Sequence, residues 1–213
     1  MTEAEIFRAF TTHHTDKADQ GYTEYYETIF NICKPSSLLE IGIRSGNCLI
    51  AFKKLFPECR VVGVDINLSQ TSRHFKRYDD LGVEYYECDA TLPSIFNKIG
   101  KTKFDIIIDD GSHFYKNQID SFNLLKDSFN SFYVLEDLRW KKEEVISSIT
   151  EQGFKKVIHG HSLNPPLVAN KQFLDTNIGQ VFCPISNRII SGLYDPSGEQ
   201  VEITNDFVVF ARG

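Results

Sequence analysis

The residues best suited to chemistry close two apolar runs. In DIIIDDGSHFY (105–115) three isoleucines lead into Asp109 and Asp110, and His113 follows three positions later. In FYVLEDL (132–138) the run ends in Glu136-Asp137. Open parallel sheets bind ligands beyond the carboxyl ends of their strands, so adjacent strands of this kind would gather four carboxylates at one rim. Like charges so close repel, and either some are protonated or a cation sits among them. Oxygen-only donors suit a hard ion such as Mg²⁺, which keeps water positions open for a substrate's oxygens. His113 lies in a Gly-Ser turn above the same rim, and an imidazole with an unperturbed pKa of about 6.5 suits a general base at neutral pH. The plainer readings are a helix-capping histidine and acids that merely decorate strand ends.

Three more runs end in polar groups. The first closes as Glu40-Ile41-Gly42-Ile43-Arg44-Ser45-Gly46, where glycines let backbone approach a ligand before a helix begins. Asp65 ends the second, some 20 residues beyond that turn, a position from which an acid accepts from ribose hydroxyls. Asp89, followed by the small Ala90, ends the third and is suited to an adenine amino group. Together they point to an adenosine-type ligand. The turn lacks the second close glycine of a dinucleotide loop, and Glu40 puts an anion where a pyrophosphate needs donors. A cationic ligand, such as the sulfonium and ammonium of S-adenosylmethionine, tolerates that acid better.

Other candidates carry less. His159 and His161 alternate onto one strand face as a ligand pair with no evident third ligand, and His13-His14 reads as surface. Trp140 fits an acceptor-pocket wall or the core equally. Cys33, Cys48, Cys59, Cys88 and Cys183 are too widely spaced for a CxxC metal pair, and their odd number suits reduced thiols.

The elements that must hold these groups follow from periodicity. Apolar β-branched runs alternate with helical segments from residue 37 to about 160, the pattern of an α/β fold with a parallel sheet covered on both faces. Strands are expected at 37–43, 60–66, 83–89, 104–110, 132–138, 154–160 and 206–212, with helices near 46–56, 70–80, 92–99, 115–128 and 141–152. Residues 3–10 and 22–33 read as helices of an N-terminal cap (1–34), joined by the polar stretch TTHHTDKADQG crossing the top. The core is 35–160, and 161–205, with Pro165-Pro166 and a DPSG turn, is an insertion or lid within a single domain spanning 1–213. The 213 residues suffice for one full core. A net charge of −6 and scattered basic pairs argue against nucleic acid. No membrane-length apolar run and an acidic start, MTEAEIFRAF, make cytoplasmic the default address.

The motifs resemble those of class I S-adenosylmethionine-dependent methyltransferases, and among them the Mg²⁺-dependent O-methyltransferases of macrolide sugars, the macrocin and mycinamicin type. They are T-D-K-x-x-x-G-Y-T-x-x-Y-E (15–27), L-E-I-G-I-x-x-G (39–46), G-V-D-I (63–66), I-I-D-D-G-S-H (107–113) and V-L-E-D-L (134–138). The resemblance implies a Rossmann-like fold with a seven-stranded, mostly parallel sheet. It implies Asp110, Glu136 and Asp137 as metal ligands and His113, with Asp110, as the catalytic pair, His113 deprotonating the acceptor hydroxyl. It implies that Glu40, Gly42, Ser45, Gly46, Asp65, Asp89 and Ala90 hold the cofactor, with Lys17, Tyr22 and Tyr26 closing over cofactor or acceptor. Asp109 is left between a cofactor contact, a support for the metal's ligands and a third acid at the metal. Gln20 stands where the cap commonly has a histidine, and Asn47-Cys48 where Gly-Ser often follows. The implied acceptor is a sugar or glycosylated small molecule, and homo-oligomers are frequent among the resembled enzymes. A hydroxylase of the cephalosporin type shares the acidic rim, and a cofactor-binding module without turnover is the non-enzymatic alternative.

Overall fold

In the computed structural model residues 1–162 and 206–213 are described in full, and between them only the backbones of four short strands. The chain runs α1 (Glu3–Thr12), α2 (Thr23–Ile32), β1 (Ser37–Ile41), α3 (Asn47–Leu55), β2 (Arg60–Asp65), α4 (Phe75–Leu81), β3 (Glu84–Glu87), α5 (Phe96–Ile99), β4 (Phe104–Asp109), α6 (Tyr115–Leu125), β5 (Phe129–Leu138), α7 (Lys142–Thr150) and β6 (Phe154–His161). Strands β7 (Leu167–Asn170), β8 (Phe182–Cys183), β9 (Arg188–Ile189) and β10 (Gln200–Ile203) form a small second sheet, and β11 (Asp206–Arg212) ends the fold. Apart from His161, Ser162 and these four backbones, the expected lid 161–205 and the Cys183 thiol lie outside the described residues.

The main sheet has seven strands in the order β3-β2-β1-β4-β5-β11-β6. β1 to β5 pair in parallel, and β11 enters antiparallel between β5 and β6. Side chains alternate across it. Leu38, Ile106, Ile108, Val134, Phe207 and Val209 meet α1 to α4 on one face, while Leu39, Ile41, Ile107, Leu135, Val208 and Phe210 meet α5 to α7 on the other. The isoleucines of β4 are therefore covered on both sides, as their unbroken run requires.

The order reverses between β1 and β4, which opens a crevice above their carboxyl ends. The N-terminal helices belong to the core: Phe10, Tyr26 and Phe30 stack edge-on or tilted against Phe52, Phe56 and Phe207. The loop between α1 and α2 lines the cleft through His14, Thr15, Asp16 and Gln20. The expected helices at 70–80 and 92–99 each open as a 3₁₀ turn, Ser72–His74 and Pro93–Ile95. A proline with no backbone donor at the start of the second favours such an entry. β5 begins at Phe129, three residues before the expected start, because Phe104 pairs with Phe129 across Asn-Ser residues that locally favour a turn.

Candidate functional site

A cleft of about 950 Å³ opens at the β1/β4 crevice. Its floor is the turn from β1 into α3, and two glycines make that turn. Gly42 takes φ 83°, and a Cβ there would lie 2.2 Å from the carbonyl oxygen of Asp110, so β1 and the β4 exit touch through bare backbone. Gly46 takes φ 73° at the α3 N-terminus, where Tyr78 Oη donates to its carbonyl at 2.7 Å and fills the space a side chain would need. Asp65 pins the turn, accepting from the Arg44 N–H at 2.8 Å through Oδ2 and from the Asn67 N–H at 2.9 Å through Oδ1. Asp89 accepts from the Thr91 N–H and hydroxyl, both on Oδ1. Asp65, Asp89, Ala90, Gly42 and Ser45 all line the cleft.

At the other end stand Asp110, His113 and Asp137. His113 Nε2 lies 4.0 Å from Asp110 Oδ1 and 3.8 Å from Asp137 Oδ2. Its Nδ1 is buried without a partner. Burial and then the Arg139 guanidinium hold its pKa below the usual histidine value, which keeps the imidazole neutral. His113 and Asp137 both hold left-handed backbone, φ 56° and 52°, as do His14 and Arg44 on the same cleft. Non-glycine residues resist that conformation, and its concentration here marks a site whose surroundings over-determine it. At Asp137 it also breaks the strand alternation, turning the carboxylate to Tyr22 Oη at 2.7 Å and Arg139 Nη2 at 2.6 Å, with Gln20 Nε2 at 3.4 Å. Burial opposes ionisation of Asp137, but the Arg139 guanidinium and the hydrogen bonds from Tyr22 and Arg139 outweigh it and lower its pKa.

Beneath this rim is an ion nest that the polar loop sequence conceals. Lys17 is fully buried, and its Nζ lies 2.7 Å from Glu136 Oε2, 2.9 Å from Asp110 Oδ2 and 3.2 Å from Glu40 Oε1. Tyr26 Oη donates a short hydrogen bond to Glu136 Oε1. Strand parity explains the convergence: Glu40, Asp110 and Glu136 follow Leu38, Ile108 and Val134 at a spacing of two, on the face packed by α1 and α2. The part of the acid rim on this face thus meets a cation supplied by the chain. Desolvation favours loss of its proton, yet Asp110, Cys48 and Glu136 win, and the Lys17 pKa is raised. One ammonium does not balance three carboxylates; burial raises the pKa of all three, that of Glu40 to about 7. Neither Glu40 oxygen has a hydrogen bond of good geometry.

Asp109 has the opposite parity. It accepts from Tyr133 Oη at 3.1 Å, from the Gly111 N–H at 3.2 Å and from Ser121 Oγ in a short bond, and burial pushes its pKa up to about 6. It thereby braces the DDGSH turn against α6 and β5 while still facing the cleft.

Lys17, Tyr22 and Tyr26, expected to close over a ligand, lie fully buried behind the acids instead and hold them. Glu136 is likewise away from the cleft wall, both oxygens engaged, and Gly46 sits behind the turn. Arg139, Arg44, Ser121 and Tyr133 were not singled out as site residues; Arg139 stands two residues past Asp137. Trp140 packs against the α5–α7 side of the core. For a divalent cation, the donors that converge are Asp110, Asp137 and His113, all within 4.8 Å of one another.

No family model and no curated protein matches the chain. Solved structures do. The MycE methyltransferase of the mycinamycin biosynthetic pathway, in complex with Mg and SAH, superposes with a TM-score of 0.52 at 24% identity over 62% of this chain and 39% of its own. TrmN from Thermus thermophilus gives 0.54 at 11% identity, over 88% of this chain and 48% of its own. The precorrin-6y C5,15-methyltransferase of Geobacter metallireducens GS-15 gives 0.52 at 11%, over 83% and 79%. The chain therefore has the Rossmann-like class I methyltransferase fold, and it spans well under half the length of MycE.

Proposed function

We propose that the protein is an S-adenosylmethionine-dependent methyltransferase acting, with a divalent metal such as Mg²⁺, on a hydroxyl of a sugar or glycosylated small molecule. The observation that carries this reading is one cleft that holds Asp65 and Asp89 at one end and Asp110, His113 and Asp137 at the other. The likeness in fold to methyltransferases, MycE in complex with Mg and SAH among them, supports it.

The residues fit an adenosyl cofactor: Asp65 lines the crevice at the end of β2, where a ribose would lie, Asp89 keeps Oδ2 for an amino donor, and the Glu40 carboxylate, paired with Lys17, lies beneath the turn and off the cleft wall. The α3 N-terminus has no side-chain cap, so its first-turn N–H groups suit a ligand carboxylate. S-adenosylmethionine supplies a sulfonium-bound methyl group.

Asp110 and Asp137 offer carboxylate oxygens to a metal, while Glu136, held by Lys17 and Tyr26, stands behind them. Such an ion supplies a lower pKa to a bound hydroxyl. His113, with Nε2 within 4.0 Å of both carboxylates, is placed to take the proton of an acceptor hydroxyl, whose oxygen would receive the methyl group that bound S-adenosylmethionine would supply, leaving SAH. Lys17 keeps Asp110 oriented, Tyr22 and Arg139 do the same for Asp137, and Asp109 holds the turn that carries the base.

The test is methyl transfer from labelled S-adenosylmethionine to a panel of glycosides, with and without chelator and with His113→Ala. Expected are transfer by the parent, its loss with chelator, and a fall of roughly 100-fold or more in the variant with SAH affinity kept. Parent-rate transfer by His113→Ala sinks the base assignment, oxygen-dependent turnover favours the hydroxylase reading, and SAH binding without any transfer favours a binding module.

A further inference from the structure

A second group of ligating side chains lies on the far side of β5, outside the cleft. His159 and His161 project from one face of β6, and on β11 the register sets Asp206 opposite His161 and Val208 opposite His159. The carboxylate of Asp206 is nearly buried and meets both rings: His159 Nε2 lies 2.8 Å from Oδ2, and His161 Nδ1 lies 2.8 Å from Oδ1. Two histidines spaced by two on a strand are one ligand short of a metal site; the third comes from a strand 45 residues later in the chain.

We propose that His159, His161 and Asp206 bind a nitrogen-preferring divalent transition metal such as Zn²⁺, clipping together the two ends of the segment 162–205. The proposal is independent of the methyltransferase reading. Ligand atoms about 2.1 Å from a tetrahedral Zn²⁺ stand roughly 3.4 Å apart. Here one donor atom from each residue lies within 4.8 Å of the others, and each imidazole nitrogen lies 2.8 Å from its own Asp206 oxygen, His159 on Oδ2 and His161 on Oδ1. A single ion displaces the protons shared between the carboxylate and the rings, with the two short contacts opening by about 0.6 Å to the tetrahedral spacing.

The chemistry selects the ion. Two imidazoles and one carboxylate suit Zn²⁺, Ni²⁺ or Co²⁺ and discriminate against Mg²⁺, which demands oxygen ligands and keeps its water. Lys142 Nζ, 2.5 Å from Asp206 Oδ1, already balances part of the charge, and Lys156 Nζ approaches His159 Nδ1 at 3.3 Å. Both cations hold the affinity below that of a closed four-ligand structural zinc site. The position gives the ion its consequence: His161 ends β6 and Asp206 begins β11, so a metal there ties together two strand ends that lie 45 residues apart in the chain. The end of β6 is joined to the cleft, since Ser162 Oγ donates to Gln20 Oε1 at 3.1 Å and Gln20 Nε2 reaches Asp137.

The experiment is Zn²⁺ titration of the full chain by competition with a chromogenic chelator in excess Mg²⁺, on the parent, His159→Ala/His161→Ala and His113→Ala, with a thermal melt of each. Expected are one Zn²⁺ per chain in the parent and in His113→Ala, a Zn²⁺-dependent rise in their melting temperature, and at least ~100-fold weaker binding in the double variant. Both histidines carry exposed ring surface, and a double-variant melt without Zn²⁺ that matches the parent attributes the loss to the ligands. Equal Zn²⁺ affinity in parent and double variant, loss in His113→Ala instead, or no binding by the parent overturns the proposal.

Discussion

Lys17 is the residue on which the acidic rim depends. Glu40 and Glu136, both buried, and Asp110, half-buried at the cleft edge, are held around its ammonium, and removing one partner from such a nest leaves charges that burial punishes. Lys17→Met, which keeps the volume and removes the charge, is expected to destabilise the fold by about 3–5 kcal/mol, read from guanidinium unfolding midpoints. A loss under ~1 kcal/mol would mean that the carboxylates are already neutral without it. The need for a cation was legible in the run ends, but its identity was not. Lys17 sits in TDKADQG, whose composition reads as exposed loop, and only the packing of α1 and α2 onto the sheet carries it inward. Asp109 is the converse case: the sequence leaves it between three roles, and in the fold its parity, opposite to Asp110, carries it to Ser121 and Tyr133, which make it a support of the turn.

Among the elements, the β1–α3 turn couples the sheet to the cleft. Gly42 is both left-handed and pressed on Asp110, whereas Gly82, at the α4 C-terminus with φ 67°, has no atom within 4 Å of the Cβ position. The pair separates backbone strain from collision. Gly82→Ala should cost about 1–2 kcal/mol from the left-handed conformation alone. Gly42→Ala adds a contact that neither β1 nor the β4 exit can relieve without parting, so its cost should exceed that of Gly82→Ala by at least ~1 kcal/mol and SAH affinity should fall tenfold or more. Equal costs and an intact SAH site would show the turn to be slack. Elements of this kind were the most legible part of the chain: β11 falls where its unbroken apolar run begins and ends, while β1, β2 and β4 stop one or two residues short because their polar ends leave the ladder for the rim. The 3₁₀ openings before α4 and α5, and the early start of β5, depend on pairing and entry geometry that periodicity does not carry.

At the scale of the molecule, strand order is the feature that local sequence cannot express. Nothing in DFVVFAR says that it slots antiparallel between β5 and β6, yet that placement brings Asp206 to the two histidines and seats Phe207 against Tyr22, Tyr25 and Tyr26. The cleft is likewise a product of the whole fold, with walls from β1, β2, β4, β5 and the α1–α2 loop. A ligand there contacts segments far apart in the chain and binds the unfolded chain negligibly, so its binding free energy adds to global stability. SAH at 100 times its Kd should contribute about 2.7 kcal/mol. For a chain of this size that is a rise of roughly 5–11 °C in the melting temperature. Because the adenosyl end meets Asp65 and Asp89 while a metal would rest on Asp110 and Asp137, the rise should persist in excess chelator. No shift at millimolar SAH would remove the cofactor reading, and a shift abolished by chelator would mean that metal and nucleoside share one set of ligands. A shift that persists while glycoside methylation stops assigns the two halves of the cleft their separate tasks.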